Sequence, residues 1–489
     1  MQLANLAVPE LNLLPAGTGT IEITSITADS RAVTAGALFA ALPGSRSDGT
    51  QFVPQAIASG AVAILAPADA QLGSVPVPVL RAEDPRRALA LVAARFYGRQ
   101  PETAVAVTGT NGKTSVVEFT RQIYAALGRR AASLGTIGLV KPDGGIYGAL
   151  TTPDPVSLHR MLAELSGEDV THVAFEASSH GLDQRRLDGV ELAAAAFLNL
   201  GRDHLDYHPT VDEYFAAKLR LFDTLLVPGR PAIINADDPR SDAVIAVARG
   251  RGCPVLTVGW KGETLRLGAI EPDGFGQRLH IFHGGAEFDV HLPLLGAYQA
   301  SNALVAAALA IATGEDAVAA IAALENLRGV KGRLDVVGEA AGGLVVVDYA
   351  HKPEALEAAL QALRPFAKGK LICVFGCGGD RDRGKRPIMG KIAVDNADMV
   401  IVTDDNPRSE KPEAIRAEIL TGAAGATEIG DRAAAIVAAV DAMDRGDVVL
   451  IAGKGHETGQ IVGDTVIPFS DHDEAQAALS SKSSGRHRP

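Results

Sequence analysis

The segment Gly109-Thr110-Asn111-Gly112-Lys113-Thr114, followed by Ser115, carries the residue types that enclose a phosphate. It follows the compact apolar run Ala104 to Thr108 and precedes an apolar-periodic stretch, Val116 to Leu127. Strand, glycine turn, helix is the order in which backbone N–H groups and a helix N-terminus can close around an anion. Lys113 can reach the outer phosphates of a nucleotide, and Thr114 can offer its hydroxyl to Mg²⁺. The general phosphate-loop pattern would place its first glycine at position 107, where Val107 stands. An ordinary glycine turn is the plain alternative, but Gly-Lys-Thr between strand and helix points to nucleotide binding.

A metal on such a loop needs hard oxygen donors. Glu176 stands just beyond the apolar run His172 to Phe175, at the sheet edge where ligands collect in α/β folds. The run Ala194 to Leu198 leads into Asn199 and then Arg202-Asp203-His204-Leu205-Asp206-Tyr207-His208. Alone, Asp203 to His208 could be a solvated loop; its place after a strand of the same sheet favours a role at the site. Lys218 lies on an expected helix, Asp212 to Leu225, and by itself a helical lysine belongs on the surface.

These residues must be carried by a scaffold of several domains. The 489 residues suffice for about three at roughly 150 residues each. In the first hundred residues, β-like runs (Ile21 to Ile26, Ala61 to Leu65, Val75 to Leu80) alternate with helical stretches such as Asp84 to Tyr97, and a linker follows at Gly98 to Glu102. Pro231 to Asn235 adds a further strand to the phosphate-loop region, so a mainly parallel sheet is expected there. Beyond a break near Gly329 to Arg333, the runs Gly343 to Asp348, Lys370 to Phe375, Asp398 to Thr403 and Asp447 to Ala452 predict another α/β domain. The expected divisions are 1–100, 101–332 and 333–489.

Composition narrows the function classes. Hydrophobic residues make up 47% and charged residues 21%, which excludes whole-chain disorder. A net charge of −12 argues against nucleic acid as a partner, because no basic footprint is present. Cys253, Cys373 and Cys377 are too few for a disulfide framework and are expected to be buried, reduced thiols. No export signal is recognised, and apolar runs such as Ala303 to Ala312 are shorter than the roughly 18 residues that span a bilayer, so a cytoplasmic location is expected. Ser480 to Pro489 is expected to form a loose tail.

Taken in order, the motifs resemble the Mur ligase family, enzymes of cytoplasmic peptidoglycan precursor synthesis and hence of cell-wall biogenesis, cell shape and division. The resemblance rests on Thr108 to Thr114, Glu176-Ala-Ser-Ser-His180, Asn199 through His204, Asp348-Tyr-Ala-His-Lys-Pro353 and Gly453-Lys-Gly-His-Glu457. The family's own loop takes the shorter form, so Val107 is no obstacle. Asp29-Ser30-Arg31 with Gly36-Ala37-Leu38-Phe39, the pair Thr151-Thr152, and Asp405-Asn406-Pro407-Arg408 resemble the branch that adds meso-2,6-diaminopimelate rather than L-lysine.

The resemblance implies an N-terminal uridine-nucleotide-binding α/β domain, a central P-loop ATPase domain and a C-terminal Rossmann-like domain. It implies an ATP- and Mg²⁺-dependent ligase joining meso-diaminopimelate to UDP-N-acetylmuramoyl-L-alanyl-D-glutamate through an acyl phosphate, and acting as a monomer on small molecules. Gly109 to Ser115, Asn302, Arg333, Asp348 and His351 would contact ATP; Thr114, Glu176, His204 and a carbamylated Lys218 would attend metal, and with Lys113 the last three would be catalytic. Ser30, Thr151, Thr152, Ser178, Gln184 and Arg186 would bind the UDP-linked substrate. Arg381, Asp405, Asn406, Pro407, Arg408, Gly453 and Glu457 would bind diaminopimelate, with Arg408 paired to its far carboxylate.

Two positions depart from relatives: Thr50, where a histidine or arginine is common, and Leu150, where some carry asparagine. A folylpolyglutamate synthetase-like ligase would share the ATP loop but would not be expected to show the Ser30 region or the Asp405–Arg408 motif. An L-lysine-adding ligase is disfavoured by Arg408. A non-catalytic ATP-binding regulator would require disabled metal or phosphate groups, yet Lys113, Thr114, Glu176, His204 and Lys218 are all present.

Overall fold

The computed structural model describes residues 1–12, 16–44, 48–146, 151–204 and 207–484, with the side chains of 145–146 left aside. Leu150 therefore lies outside the described residues, as do Leu205, Asp206 and the last five residues. The chain forms two compact units, Met1–Arg266 with Leu304–Ala320, and Leu267–Ala303 with Ile321–Pro489.

In the first unit, β1 (Ser25–Thr27), β2 (Ala37–Ala40), β3 (Ala61–Pro67) and β4 (Val79–Ala82) form a parallel sheet in chain order, accompanied by α1 (Val53–Ala58) and α2 (Pro85–Tyr97). The expected strand Ile21 to Ile26 is mostly not part of it. Its first half is bonded to the N-terminus instead: Leu3 N–H donates to Ile21 O and Ile23 N–H to Met1 O, both at 2.8 Å. Asp84 caps α2 by accepting from Arg87 N–H at 3.0 Å, and Gly98 ends it in the left-handed conformation at φ 64°.

The same unit continues with β5 (Thr103–Thr108), α3 (Lys113–Ala126), β6 (Ala131–Gly135), β7 (Gly138–Lys141), β8 (Gly144–Ile146) and α4 (Pro155–Gly167). Then come β9 (His172–Glu176), α5 (Ser179–Asp183), β10 (Ala194–Phe197), α6 (Val211–Arg220), β11 (Ala232–Asn235), α7 (Ser241–Gly250) and β12 (Val255–Gly259). The strands order as β12-β11-β10-β5-β9-β6, all parallel, with β7 and β8 added antiparallel. Every residue of β9 and β10 is buried, the signature of strands covered on both faces. Phe175, Phe197 and Phe222 lie in this core, each burial contributing about 1.5–3 kcal/mol. The expected helix Asp212 to Leu225 ends at Arg220 and widens into a π-turn over Leu221–Leu225.

In the second unit, β14 (Gly276–His283) and β15 (Ala286–Leu292) pair antiparallel, with β13 (Leu265–Asp273) beside β14. These strands carry exposed polar residues in alternation and were not anticipated among the apolar runs. The α8 (Ala297–Ala312) and α9 (Ala317–Ala322) helices follow in the chain. A six-stranded sheet is built from β16 (Asp335–Ala340), β17 (Gly343–Asp348), β18 (Leu371–Phe375), β19 (Met399–Val402), β20 (Thr427–Glu428) and β21 (Val448–Ala452), ordered β16-β17-β21-β18-β19-β20. It is parallel except for β16. Between its strands run α10 (Pro353–Leu363), α11 (Lys385–Asn396), α12 (Pro412–Leu420) and α13 (Arg432–Ala442). A small hairpin, β22 (Gly459–Val462) and β23 (Thr465–Pro468), precedes α14 (Asp471–Ser483).

The α14 helix corrects the expectation of a loose tail from Ser480. Ser470 caps its start, Leu479 is buried, and Lys482 Nζ donates to the carbonyls of Val440 and Asp441 at 2.8 and 2.9 Å. All three cysteines are unpaired and buried, and burial pushes the Cys373 and Cys377 thiols up to about 12. Among the described residues, no helix is long and apolar enough to cross a membrane.

Candidate active site

In the first unit, the ends of β5, β9 and β10 bring together the residues singled out around the glycine turn. Gly112, at φ 87°, makes the left-handed turn into α3, so Lys113 and Thr114 begin the helix. Lys113 Nζ folds back onto its own loop, donating to Gly109 O at 2.9 Å and Thr110 O at 3.0 Å. Asn199 fastens the loop from the end of β10: its Oδ1 accepts from Thr110 N–H at 3.1 Å and Asn111 N–H at 2.9 Å.

Glu176 is the last residue of β9 rather than just beyond it, and it is 2% exposed. Thr114 Oγ1 donates to its Oε1 at 2.9 Å. Thr136, which sequence reasoning did not single out, donates its N–H to the same oxygen at 2.7 Å and its hydroxyl to Oε2 at 3.3 Å. The Thr136 hydroxyl also lies 3.1 Å from that of Thr151. A Cβ on Gly135 would stand 2.2 Å from Glu176 Oε1, so the carboxylate occupies space that only glycine leaves open.

Lys218 is 1% exposed, against the expectation for an isolated helical lysine. Its Nζ donates to Gly109 O at 2.8 Å and lies 4.3 Å from the centre of the Tyr214 ring. Burial, reinforced by the neighbouring Lys113 charge, holds its ammonium well below the ordinary lysine range, with Asp203 opposing. Tyr214 hydrogen-bonds through its hydroxyl with Thr110 Oγ1 at 3.1 Å. His204 takes a left-handed conformation at φ 54°, and its ring packs on Tyr214 at 5.9 Å between centres. Tyr214 thus joins His204, Lys218 and the phosphate loop. Its place four residues before Lys218, on the same face of the helix, was the signal available in the sequence.

The expected substrate residues of this unit form a connected strip. Thr152 Oγ1 donates to Glu176 O at 2.9 Å and lies 3.0 Å from Ser178 Oγ. Ser178 caps α5 by accepting from Gly181 N–H at 3.0 Å. Arg186 donates to Thr152 O at 2.6 Å, and through Nη2 to Gln184 Oε1 at 2.7 Å. Ser30 sits apart from this network, in a short 3₁₀ turn whose N-cap is Asp29. Thr50 stands in a second such turn, capped by Asp48 at 2.9 Å.

Two further groups lie in the second unit. Asp348, at the end of β17, accepts from Leu334 N–H at 2.7 Å and Ala350 N–H at 2.8 Å. Burial raises its carboxyl to about 6, although Arg333 and the two N–H donors pull the other way. Arg333 stacks over the Tyr349 ring at 4.8 Å, leaving its Nε buried without a hydrogen-bond partner. His351 donates from Nδ1 to Tyr349 O at 2.7 Å, and burial lowers its pKa to about 4. Asn302 is bonded to Gln299 Oε1 at 2.9 Å, and Gln299 in turn to Arg333 O at 3.2 Å.

The second group gathers Asp405, Asn406, Pro407 and Arg408, after β19, beside Gly453 and Glu457, after β21. Arg408 has φ 52° and donates from Nη1 to Gly379 O at 2.8 Å and Asn406 O at 3.4 Å. Among the described residues, its Nε and Nη2 have no hydrogen-bond partner, so that edge of the guanidinium is unpaired. Asn406 Nδ2 donates to Glu457 Oε2 at 3.0 Å, and burial raises the Glu457 carboxyl. Arg381 is exposed, donating to Asp380 O at 3.0 Å. Pro407 shapes the loop: its carbonyl would lie 1.9 Å from a Cβ at Gly379, so glycine is required there.

Family models match three stretches: "Mur ligase family, catalytic domain" at residues 22–97, "Mur ligase middle domain" at 107–310, and "Mur ligase, glutamate ligase domain" at 332–455. A UDP-N-acetylmuramoyl-L-alanyl-D-glutamate–2,6-diaminopimelate ligase of Bradyrhizobium diazoefficiens is 59% identical over 466 residues, 94% of this chain and 96% of that protein. A solved structure of a ligase with the same name is 33% identical, covers 99% of both chains and superposes with a TM-score of 0.75. The crystal structure of MurF ligase from Thermotoga maritima in complex with ADP shares the fold at 21% identity, covering 96% of this chain and 99% of its own, with a TM-score of 0.63.

Proposed function

The chain belongs to the Mur ligase family, and from that premise we propose that it joins meso-2,6-diaminopimelate to UDP-N-acetylmuramoyl-L-alanyl-D-glutamate at the expense of ATP. Residues 1–100 take the uridine end, 101–332 the triphosphate, and 333–489 the amino acid, in a monomer acting in the cytoplasm on precursors of peptidoglycan. The observation that carries the choice of acceptor is Arg408. With Nη1 spent on two carbonyls, its Nε–Nη2 edge matches a carboxylate in two parallel hydrogen bonds. L-Lysine lacks that distal carboxylate and would leave the edge unpaired. A site built on such a partner rejects the stripped analogue by roughly 10⁴ to 10⁵.

A carboxylate is a poor electrophile, so the D-glutamyl side chain must first accept the γ-phosphoryl group of ATP. Two anions meet in that step, and cations must screen them. Lys113 supplies one, and needs only to swing from its own loop carbonyls to the outer phosphates. The Gly109–Ser115 backbone holds the phosphates, with Asn302, Arg333, Asp348 and His351 on the rest of the nucleotide. Ser30, Thr151, Thr152, Ser178, Gln184 and Arg186 hold the UDP-linked substrate. Arg381, Asp405, Asn406, Pro407, Gly453 and Glu457 complete the acceptor site around Arg408. The acceptor amine then attacks the acyl phosphate, the amide bond forms, and phosphate leaves.

The donor set fits Mg²⁺. Thr114 and Glu176 offer two hard oxygens 2.9 Å apart, and among the described residues no group of three or more His, Cys, Asp or Glu forms a closed cage. An ion there would fill its shell with water and phosphate oxygens, as Mg²⁺ does. When bound, it supplies charge neutralisation on the transferring phosphoryl group. Lys218 fits carbamylation, because CO₂ adds to a neutral amine and burial beside Lys113 favours that form. As a carbamate, Lys218 would present oxygens, with His204, to a second Mg²⁺.

The test is ADP and phosphate release by the purified chain with the UDP-linked dipeptide, comparing meso-diaminopimelate with L-lysine. Turnover is expected with the former alone. Equal turnover with L-lysine, or none with either, would overturn the reading.

A further inference from the structure

Lys454, within the Gly453–Glu457 segment, is fully enclosed, with a side chain 0% exposed. Its Nζ donates to Asn406 Oδ1 and to Gly459 O, both at 2.8 Å. Asp405 Oδ1 lies 3.4 Å away and Glu457 Oε2 3.7 Å away. One ammonium therefore meets the segment after β19, the segment after β21 and the start of the β22–β23 hairpin. An ion sealed in this way cannot touch an amino-acid substrate. It acts on what surrounds it.

The Asn406 amide shows how. Its Oδ1 accepts from Lys454 and also from Ile461 N–H at 2.9 Å. Both donors fix the oxygen inward, so Nδ2 must face Glu457, to which it donates at 3.0 Å. The hairpin is fastened to the same motif at three further points. Gln460 Nε2 donates to Asp405 O at 2.6 Å, Arg408 N–H to Ile461 O at 3.0 Å, and Gly463 N–H to Arg408 O at 2.8 Å. These bonds hold Arg408 at its positive φ, an unfavourable backbone conformation for a side-chain-bearing residue that persists only where its surroundings enforce it.

We propose that Lys454 and the 459–468 hairpin are the positioning apparatus for acceptor selection, holding Asn406 and Arg408 in the one arrangement that presents the guanidinium edge. The proposal rests on the reading of Arg408 as the acceptor-carboxylate partner. The hairpin is otherwise a poor candidate for a structural element. All of β23 is exposed, including Val466 and Ile467, so it contributes little to the core. Its bonds run instead to the Asp405–Arg408 motif.

The test uses Lys454→Met and Ile461→Pro in the full chain, with KM for each substrate and the ratio of kcat/KM for meso-diaminopimelate over L-lysine. Ile461→Pro removes the N–H that fixes Asn406 from the exposed hairpin, and so remains informative if the buried Lys454→Met variant does not fold by circular dichroism. The expected result is a rise of at least tenfold in KM for meso-diaminopimelate and a loss of at least tenfold in the ratio, with KM for ATP and the UDP-linked dipeptide within twofold. Folded variants with an unchanged acceptor KM and ratio would overturn the proposal. Arg408→Ala, run alongside, separates the two failures: if it too leaves acceptor use unchanged, the acceptor-site reading itself is wrong, and if it alone impairs acceptor use, only the positioning role falls.

Discussion

Lys113 and Lys218 donate to the same carbonyl oxygen, that of Gly109, at 2.9 and 2.8 Å. Two ammonium groups on one acceptor repel each other, and Lys218 has no solvent to relieve it. Losing a proton at Lys218 ends the repulsion. Gaining CO₂ goes further and turns it into attraction, since a carbamate and Lys113 carry opposite charges.

Lys218→Ala is accordingly expected to lower turnover by on the order of 10²-fold, as loss of one preorganised charged group does. Formate or acetate at millimolar concentration should restore part of it, because a small carboxylate can occupy the volume vacated by the side chain. Full activity without added carboxylate would show that no carbamate is needed.

Gly135→Ala is expected to disturb the proposed metal site without disturbing the fold. The new methyl would lie 2.2 Å from Glu176 Oε1, and the carboxylate would have to leave Thr114. The Mg²⁺ concentration giving half-maximal phosphate release should rise at least tenfold, while the thermal midpoint moves by a few degrees. An unchanged Mg²⁺ profile would remove Glu176 from the metal.

Arg408→Ala should raise KM for meso-diaminopimelate by roughly 10- to 150-fold, the equivalent of about 1.5–3 kcal/mol for a charged hydrogen-bonding group. KM for ATP should stay within twofold. Arg408→Lys is expected to recover little, since an ammonium cannot offer two parallel N–H donors.

The pH dependence of stability has a definite sign. Burial lowers His351 and His456 to about 4, from 6.5 in the unfolded chain. Between pH 6.5 and 4 the unfolded state therefore binds more protons at these sites, and stability is lost as pH falls through that window. Asp348, raised from 3.8 to about 6, works in the opposite direction over pH 6 to 4. The two histidines together outweigh Asp348, so the net contribution of these three groups is a drop in the urea midpoint from pH 6.5 to 4.5. The double variant His351→Gln, His456→Gln should show a smaller drop; an equal one would place the effect elsewhere.

How much of this was legible in the sequence follows from local physics. The strands β5, β9, β10, β17 and β18 are almost wholly buried and stand out as apolar runs, so these five were readable to within a residue or two. The hairpin strands β13 to β15 alternate polar and apolar residues and escaped notice. Ile21 to Ile26 has strand composition throughout, but the partners of its first half are residues 1 to 3, which no local pattern reveals. At the site, the glycine turn and Glu176 announced themselves by type and spacing, and Arg408 only through the resemblance of its motif to the family's. Thr136 and Lys454 did not, because a threonine and a lysine acquire their roles only from the carboxylates and amide that the fold sets against them.

The burial of Cys253, Cys373 and Cys377 has a practical consequence. With every native thiol shielded and held protonated, maleimide dyes should ignore the wild-type chain under native conditions. A cysteine engineered onto each of the two compact units would then accept a fluorophore selectively, and energy transfer between donor and acceptor could follow their separation as ligands are added, without first stripping the molecule of its own sulfhydryls.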